Sequence, residues 1–493
     1  MRLRIVSRAS DLAVLQAELV ARALRERWPS LDVVRLTRSS EGDRDQRVAL
    51  WSMPDKGLFT ADLSRALVND DADLAVHSWK DLPIASPTGT VVAGTLPRAD
   101  PRDVLLFRRD VAVRKPATLT ILSSSPRRSW QLETSLRSRL PWPVAALTLA
   151  PVRGNIPTRL RRLLAGDGEA LVVAKAALDR LLSEDAPAAV ATAIRAALDR
   201  CRWMVLPLKE HPAAPAQGAI GIEVAEKRHD LLAQAREITH GATWAAVTRE
   251  RAILEALGGG CHAAVGATVL VRDYGEVTSV RARMPGQPDR LTWSLTPTAA
   301  APPPAAAATL WPRPEERDRA RRRRLEAGSP ATGTALWVAR AEALPPEWPI
   351  GEDQLVWAAG GRTWERLAAR GVWVNGCADG LGEQEAPDVD RLAGRSVEWQ
   401  RVTHAASGDP QAIATYVVDQ ELPADLDRRT HFFWTSGSLF RDALHRFPAI
   451  RGGWHASGPG RTARVVRDAL GPDAHTRVSI WLDYDQWLHA VTR

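Results

Sequence analysis

The sequence has few cysteines, few lysines and no long apolar run. Its cysteines, Cys201, Cys261 and Cys377, lie far apart among 493 residues, which excludes a disulfide framework and the paired spacing of a cysteine metal site. No stretch approaches the ~18 apolar residues of a membrane span, and the charged amino terminus lacks the apolar core of a signal peptide. We therefore expect a soluble cytoplasmic protein that holds no metal and has no membrane partner.

Because lysine is scarce, arginine supplies almost all of the positive charge. Only six of the 66 basic residues are lysines, and the net charge is +8. Arginine can bind carboxylates and phosphates through two parallel hydrogen bonds, so this composition favours an anionic partner. Nucleic acid would be the general candidate, but repeats that combine aromatic and basic residues are missing. We expect small polyanionic partners and no nucleic acid.

One stretch, residues 257–262, places a single thiol behind three consecutive glycines. Glycine permits positive φ and lets a bulky group come close to the backbone. Cys261 is therefore either an ordinary half-buried thiol, which is the common state of a free cysteine, or the attachment point of a covalent group.

The first 181 residues alternate between short apolar strands and amphipathic helices, a pattern that predicts doubly wound sheets of the α/β class. Ligands of such sheets bind where strands end. Arg8 lies in the first strand-to-helix turn, and Ser10 is the expected N-cap of the next helix. Lys80 and Asp81 follow a buried strand, where they form either a surface ion pair or part of a catalytic site.

Later strand-to-helix turns also carry arginine. Ser125 is a natural N-cap for a helix that starts at Pro126, and Arg127 and Arg128 occupy its first turn. Two cations there oppose the helix dipole, so we expect an anion to compensate them. A solvated arginine face is the alternative interpretation. The corresponding residues of the later turns are Arg153, Arg159 and Arg180.

The middle of the chain changes character. Residues 207–222 are rich in proline and glycine and are predicted to form a hinge. Helices are expected over 229–256, followed by a strand pair near 267–271 and 277–283.

The remaining part begins with a linker. Residues 296–308 are mostly proline, alanine and threonine, which predicts a stiff connection, and the charge run 317–324 is interpreted as a solvated helix or tail. Beyond residue 333, two similar units contain Gly361-Arg-Thr and Gly460-Arg-Thr. Each unit predicts a strand, a glycine turn and a short helix.

Together, a series of these stretches resembles the hydroxymethylbilane synthase family, also called porphobilinogen deaminase, of tetrapyrrole synthesis. Each stretch is short, but the ordered set over residues 1–285 is highly specific. The stretches are residues 8–16, 56–59, 76–83, 100–103, 124–128, 153–155 with 158–159, 217–221 and 259–261.

The resemblance implies two periplasmic-binding-protein-like lobes with the active site between them, and a small α+β domain that carries a dipyrromethane cofactor on Cys261 through a thioether. We expect a monomer. The expected boundaries are 1–98 with 200–222 for the first lobe, 99–199 for the second lobe, 223–295 for the cofactor-attachment domain, 296–332 for a linker and 333–493 for a C-terminal Rossmann-like α/β region.

The resemblance further implies residue roles. The substrate, porphobilinogen, and the growing pyrrole chain carry many carboxylates, which would need fixed cations. Asp81, beside Lys80, would serve proton transfer and stabilise the developing positive charge. The implied cofactor-binding residues are Lys56, Ser125, Arg127, Arg128 and Cys261. The implied substrate-binding residues are Arg8, Ser10, Gln16, Phe59, Arg153, Arg159, Arg180 and Gln217.

The chain departs from this family's usual residues at Asp11, Ser52, Ala216 and His262. These departures leave the aspartate, the thiol and the main arginines in place. We expect them to affect rate and affinity rather than the type of reaction.

The C-terminal region resembles uroporphyrinogen-III synthase, the family that closes and rearranges the linear product. The similar stretches are 356–362, 434–437 and 458–470. About 160 residues are available, fewer than two full domains of that family need, and the tyrosine that usually follows the first motif is missing. The region is thus either a partial, degenerate domain or an active one.

Three functions remain open from the sequence. The first is hydroxymethylbilane synthase. The second is a bifunctional fusion that also forms uroporphyrinogen III. The third is a noncatalytic carboxylate-binding protein on the same fold, in which the arginines only capture anions.

Overall fold

A computed structural model describes residues 2–38, 60–258, 264–317 and 320–492. Three of the predicted site residues, Lys56, Phe59 and Cys261, lie outside the described residues. Within the described ranges, no helix is both long and apolar enough to cross a membrane.

The first lobe begins with four strands. They are β1 (Arg2–Arg8), β2 (Asp32–Arg38), β3 (Leu74–Ser78) and β4 (Thr90–Gly94). β1 pairs in parallel with β2 on one side and with β3 on the other. The helices are α1 (Asp11–Arg27) and α2 (Ala61–Val68). α1 starts as predicted, because the Ser10 side chain accepts a hydrogen bond from the Ala13 amide.

The chain then crosses to the second lobe. Its strands are β5 (Asp103–Arg108), β6 (Thr118–Leu122), β7 (Ala146–Ala150), β8 (Ala170–Ala174) and β9 (Cys201–Val205). Its helices are α3 (Arg109–Arg114), α4 (Pro126–Ser135), α5 (Ile156–Ala165), α6 (Lys175–Leu181) and α7 (Ala188–Leu198). β6 is parallel to β7 and β8, whereas β5 is antiparallel to β8 and β9.

The chain returns to the first lobe as β10 (Ile220–Ala225), which lies between β3 and β4 and is antiparallel to both. The two sheets have equivalent orders, β2-β1-β3-β10-β4 and β7-β6-β8-β5-β9. In each sheet the fourth strand is antiparallel and arrives from the other lobe. This topology confirms the α/β class and the two-lobed arrangement.

The crossing points differ from the predicted lobe boundaries. Residues 201–205 belong to the second lobe, because the backbone of β9 pairs with β5. The return crossing therefore covers residues 206–219, within the predicted hinge. Helix α8 (His229–Glu237) packs on the first lobe rather than on the third domain, since Leu231 and Ala235 join the core of β1 and β3.

The third domain is the small α+β unit that was expected. It contains helix α9 (Gly241–Ala256) and the strands β11 (Ala264–Arg272), β12 (Gly275–Arg283) and β13 (Arg290–Pro297). The three strands form an antiparallel meander, so the predicted strand pair has a third member that ends at Pro297.

The C-terminal region forms two sheets. One has the order β14-β21-β22-β23 and the other β15-β20-β19-β16-β17-β18. Their strands are β14 (Leu310–Trp311), β15 (Arg321–Arg324), β16 (Ala335–Val338), β17 (Val356–Ala358), β18 (Gly376–Cys377), β19 (Trp399–His404), β20 (Ile413–Asp419), β21 (His431–Trp434), β22 (Trp454–Ser457) and β23 (Val478–Ile480). The helices are α10 (Gly361–Ala368), α11 (Asp390–Ala393), α12 (Gly437–Arg446), α13 (Arg461–Leu470), α14 (Ala474–Arg477) and α15 (Tyr484–Val491).

The structure differs from the predicted linker over 296–332, because this range contains two strands that pair with distant strands. β14 pairs with β21, and β15, which contains the charge run, pairs with β20. These partners lie about a hundred residues away in sequence, so local composition gives no sign of the pairing. Both predicted glycine units have the expected form, with β17 before α10 and β22 before α13.

The sheet that contains β16 to β20, here called the six-stranded unit, shares a hydrophobic core with the second lobe. Buried side chains of both parts occupy the same clusters. Phe107 of β5 meets Trp373 edge to face, with ring centroids 5.4 Å apart. The Val205 amide donates to the Asn375 carbonyl at 2.7 Å. The second lobe and the six-stranded unit are therefore packed as one body.

Candidate active site

A cleft of about 570 Å³ lies between the two lobes, where strands of both sheets end. The turns after β1 and β3 line one wall, and the starts of α5 and α6 line the other. The structure brings eight of the predicted site residues to this cleft: Arg8, Ser10, Gln16, Lys80, Asp81, Arg128, Arg153 and Arg159.

The wall from the first lobe carries both acidic residues of the cleft lining, Asp11 and Asp81. Lys80 and Asp81 lie in one 3-10 turn, Trp79–Asp81, directly after β3. Burial lowers the pKa of Lys80 to about 8, although the neighbouring Asp81 carboxylate opposes this shift. The Lys80 ammonium donates to Gln217 Oε1 at 3.2 Å. Gln16 Nε2 donates to the Ser78 hydroxyl at 3.0 Å, which ties α1 to the end of β3.

The second lobe supplies the start of α4. The Ser125 side chain accepts a hydrogen bond from the Arg128 amide, as the N-cap pattern predicted. Arg127 and Arg128 both point their guanidinium groups at Asp103, at 2.9 and 2.7 Å. The expectation that a ligand anion balances them was therefore incomplete, because one buried carboxylate already serves both.

Asp103 is the main residue that the sequence analysis did not assign. Burial alone would raise its pKa, but Arg128 and Arg127 outweigh this effect and hold the pKa well below the ordinary value. Gln217 Nε2 donates to the same carboxylate at 2.8 Å. In the sequence, the only indication that Asp103 belongs to the site is its position in the stretch 100–103, which resembles the family. The partners of a buried carboxylate depend on chain crossings that local sequence does not reveal.

Two guanidinium groups and one carboxylate leave this part of the wall positively charged, and Arg159 adds to the excess. Asn155 caps α5 by accepting from the Thr158 amide at 3.0 Å, and Arg159 Nε donates to the Gly154 carbonyl at 2.8 Å. Burial and the like charge of Arg128 lower the pKa of Arg159 to about 10. Arg159 forms no ion pair within the described part of the chain.

The remaining predicted residues, Ser125, Arg127, Arg180 and Gln217, lie behind the lining of the cleft. Arg180 Nη2 donates to the Gly218 carbonyl at 2.7 Å, and burial lowers its pKa to about 10. Gln217 connects the walls, since its side chain contacts Lys80, Arg128 and Asp103. These residues join the return crossing to the cleft.

The cleft has the chemistry that a carboxylate-bearing dipyrromethane would need. Arg128 Nε is buried and lacks a hydrogen-bond partner among the described residues, and the ordinary pKa of Arg159 would be restored by an anion. Lys80, Arg8 and Arg153 complete the cationic lining. The residues that are present therefore fit the cofactor.

The third domain contacts the first lobe and the return crossing through the elements on either side of residues 259–263. Arg251 of α9 donates to the carbonyls of Leu82 and Ile84, at 3.3 and 3.0 Å, just beyond Asp81. The Ala267 amide of β11 donates to the Ala213 carbonyl of the return crossing at 3.0 Å. The elements before and after Cys261 are thus both tied to the lobes.

Another contact between the third domain and the return crossing involves Ala216, where the family usually has a different residue. Ala216 has a φ of +66° and is buried, a conformation that glycine adopts with less strain. Its amide donates to the Glu250 carboxylate at 2.7 Å, and Arg98 pairs with the same carboxylate at 2.6 Å. These hydrogen bonds hold Ala216 in this conformation.

Several known proteins are similar to this chain. The family model described as "Porphobilinogen deaminase, dipyromethane cofactor binding domain" matches residues 3–233. A solved arginine transport periplasmic binding protein from Legionella pneumophila aligns with 52% of this chain and 95% of its own, at 12% identity and a TM-score of 0.27. Porphobilinogen deaminase from Ralstonia nicotianae is 40% identical over 277 residues, which cover 56% of this chain and 75% of the relative. Porphobilinogen deaminase from Burkholderia mallei is 39% identical over 271 residues, 55% of this chain and 75% of the relative. This chain belongs to the porphobilinogen deaminase family.

Proposed function

We propose that this chain condenses four porphobilinogen molecules into linear hydroxymethylbilane, with release of ammonia, on a dipyrromethane cofactor attached to Cys261. The observation that carries the proposal is the cleft itself. It sets the Asp81 carboxylate among guanidinium groups from both lobes, with Asp11 as the other acidic residue of the lining. Enzymes of this family act on pyrroles that carry carboxylates, which such a cationic cleft can bind.

The arginines hold the carboxylates of the pyrrole rings. Each guanidinium group can bind a carboxylate through two hydrogen bonds. Arg128 and Arg159 gain most from such an anion. Arg128 shares the Asp103 carboxylate with Arg127, and Arg159 lies close enough to feel the like charge of Arg128 but forms no ion pair among the described residues. Arg8 and Arg153 line the same cleft and extend the row of cations for a longer chain.

Asp81 acts on the reacting ring. Loss of ammonia from the aminomethyl group leaves a positive charge on the pyrrole, and a carboxylate near the ring N–H stabilises this charge. Asp81 is exposed to the cleft, so a substrate can reach it. Lys80 is mainly protonated at neutral pH, since its pKa is about 8, and it anchors Gln217 beside the arginines.

The cofactor, when bound, would supply the pyrrole carbon to which the first new ring is joined. Lys80, Arg128, Arg153 and Arg159 would hold its carboxylates, and Cys261 would hold the cofactor by its sulfur. The ties from α9 to the turn after Asp81 and from β11 to the return crossing support this assignment.

The intact mass of the purified full chain tests the proposal. We expect an adduct of two pyrrole units on the peptide that contains Cys261, and release of ammonia when porphobilinogen is added. Cys261→Ala should abolish the adduct and the activity. Cys201→Ala is the matched control, because Cys201 is buried in β9, where burial raises its pKa to about 12, and this variant should keep both. An unmodified thiol with tight carboxylate binding and no ammonia release would instead support a noncatalytic binding protein.

The C-terminal region carries the second candidate function, formation of uroporphyrinogen III from the linear product. Two mainly parallel sheets support this candidate, because they provide two α/β units rather than a single partial domain. Incubation of the full chain with porphobilinogen, followed by separation of the type I and type III isomers, tests it. A product of type I alone would reject the cyclising function and leave the deaminase function untouched.

A further inference from the structure

A second cavity, also of about 570 Å³, lies between the second lobe and the six-stranded unit. It shares no lining residue with the active-site cleft. The second lobe contributes Lys115 and Arg202, and the six-stranded unit contributes Trp348, Arg370 and Trp373. Cavities of this size commonly hold small molecules.

Arg202 is the notable charge in this cavity. Its guanidinium carbon lies 4.2 Å from the centroid of the Trp373 ring, so one face of the group is covered by an indole. Among the described residues, no carboxylate forms an ion pair with Arg202, and its side chain makes no hydrogen bond. Burial lowers its pKa to about 10. Glu352 and Asp353 oppose this shift without forming an ion pair with Arg202. A partly desolvated cation that lacks an ion pair among the described residues can gain from an external anion.

The other cations of the cavity differ in how they are held. Arg370 donates to the carbonyls of Ala341 and Leu344, each at 2.7 Å, and these bonds fix its position. Lys115 ends α3 in the left-handed conformation, with a φ of +49°. The acidic lining residue is Glu352, so the cations outnumber it.

The remaining lining is flat and apolar. Trp373 is fixed by a hydrogen bond from Nε1 to the Trp203 carbonyl at 3.2 Å, and Trp348 by one to the Ala327 carbonyl at 3.2 Å. Pro345, Pro346 and Ile350 complete this surface. Rigid apolar walls favour a ligand with a planar ring, since little side-chain entropy is lost when it binds.

We propose that this cavity binds a small planar carboxylate, with the carboxylate paired to Arg202 and the ring against the apolar wall. Two sources share this chemistry. One is a pyrrole acid related to the proposed reaction, and the other is an unrelated aromatic acid. Either ligand would contact both the second lobe and the six-stranded unit, so binding would stabilise their association.

Isothermal titration calorimetry of the full chain tests the site with two unreactive probes, pyrrole-2-carboxylate and benzoate. We expect saturable binding of at least one probe. Arg202→Gln should raise the Kd by about tenfold or more, because a charged hydrogen bond is lost. Tighter binding of pyrrole-2-carboxylate identifies the pyrrole source, and equal or tighter binding of benzoate identifies the unrelated acid.

Three variants make the result specific. Arg200→Gln removes the same charge from an exposed neighbour and should leave the Kd unchanged. Arg159→Gln removes a cation of the active-site cleft and should also leave it unchanged. Arg202→Lys keeps the charge without the planar group, should give an intermediate Kd, and covers the case in which Arg202→Gln does not fold.

Several results would overturn the proposal. They are the absence of saturable binding at millimolar concentrations of both probes, a Kd that does not respond to Arg202→Gln or Arg202→Lys, and an equal loss of affinity in Arg200→Gln. Loss of all binding in Arg159→Gln would place the probes in the active-site cleft instead.

Discussion

Replacement of Asp103 by asparagine should strongly destabilise the protein. The Asp103 side chain is 1% exposed and pairs with Arg127 and Arg128, whose side chains are 4% and 10% exposed. Asparagine has nearly the same shape but no charge. The two guanidinium groups would then face each other in the interior without their shared counter-charge.

The size of the effect follows from that geometry. Removal of one partner from a buried ion pair costs about 3–5 kcal/mol, because the other charge stays buried. We therefore expect Asp103→Asn to lower the free energy of unfolding by about 3–5 kcal/mol at neutral pH, a large part of the ~5–15 kcal/mol typical of a domain. Urea unfolding of the full chain, followed by circular dichroism, measures the change.

Asp110→Asn provides the matched control. Asp110 pairs with Arg108 and Arg114, but its side chain is 50% exposed, and exposed pairs contribute about 0–1 kcal/mol. The reasoning would be refuted if Asp103→Asn lost no more stability than Asp110→Asn.

The pH dependence gives an independent test. The arginines hold the pKa of Asp103 well below its ordinary value, so its contribution is complete above about pH 4 and is lost as the pH falls toward the folded-state pKa. The difference in stability between the wild type and Asp103→Asn should therefore shrink in acid. A difference that stays constant from neutral pH to about pH 3 would show that charge is not the cause.

Two further predictions concern the C-terminal region. Burial, and then the charge of Glu210, raise the pKa of Asp379 to about 7, so ionisation costs stability as the pH rises. Asp379→Asn cannot ionise and should lose less stability than the wild type between about pH 5 and pH 8; thermal unfolding at both values measures this. Deletion of residues 309–493 should uncover Phe107 and the other core residues of the second lobe, and should cause aggregation, measured as the soluble fraction after expression.

Local features of the active site could be predicted from the sequence. Ser10 and Ser125 cap helices as expected, because a capping hydrogen bond reaches only three residues along the chain. Lys80 and Asp81 follow a buried strand, as the apolar run before them indicated. Residues at successive strand ends meet in one cleft because parallel strands end at the same edge of a sheet.

Features that depend on distant partners could not be predicted in this way. The balance of Arg127 and Arg128 by Asp103 requires the crossing between the lobes to bring β5 beside α4. The charge run at Arg321–Arg324 forms a strand only because β20 offers its backbone groups. The composition of this run predicts solvated side chains, and its side chains are exposed. The composition gives no indication that the backbone pairs with another strand.

The join between the second lobe and the six-stranded unit also explains part of the tryptophan content. Trp364 Nε1 donates to the Arg139 carbonyl at 3.0 Å, and Trp373 Nε1 donates to the Trp203 carbonyl at 3.2 Å. An indole covers a large apolar area and also satisfies one buried carbonyl. Leucine in place of Trp364 could keep the apolar contact but would remove the hydrogen bond to the Arg139 carbonyl, and an unpaired buried carbonyl costs about 1–3 kcal/mol. The Trp203 carbonyl also accepts from Asn375 Nδ2 at 3.1 Å, so the loss at Trp373 would be smaller. Tryptophan at these positions therefore both fills the shared core and forms hydrogen bonds to the second lobe. These contacts make the six-stranded unit a structural part of the second lobe.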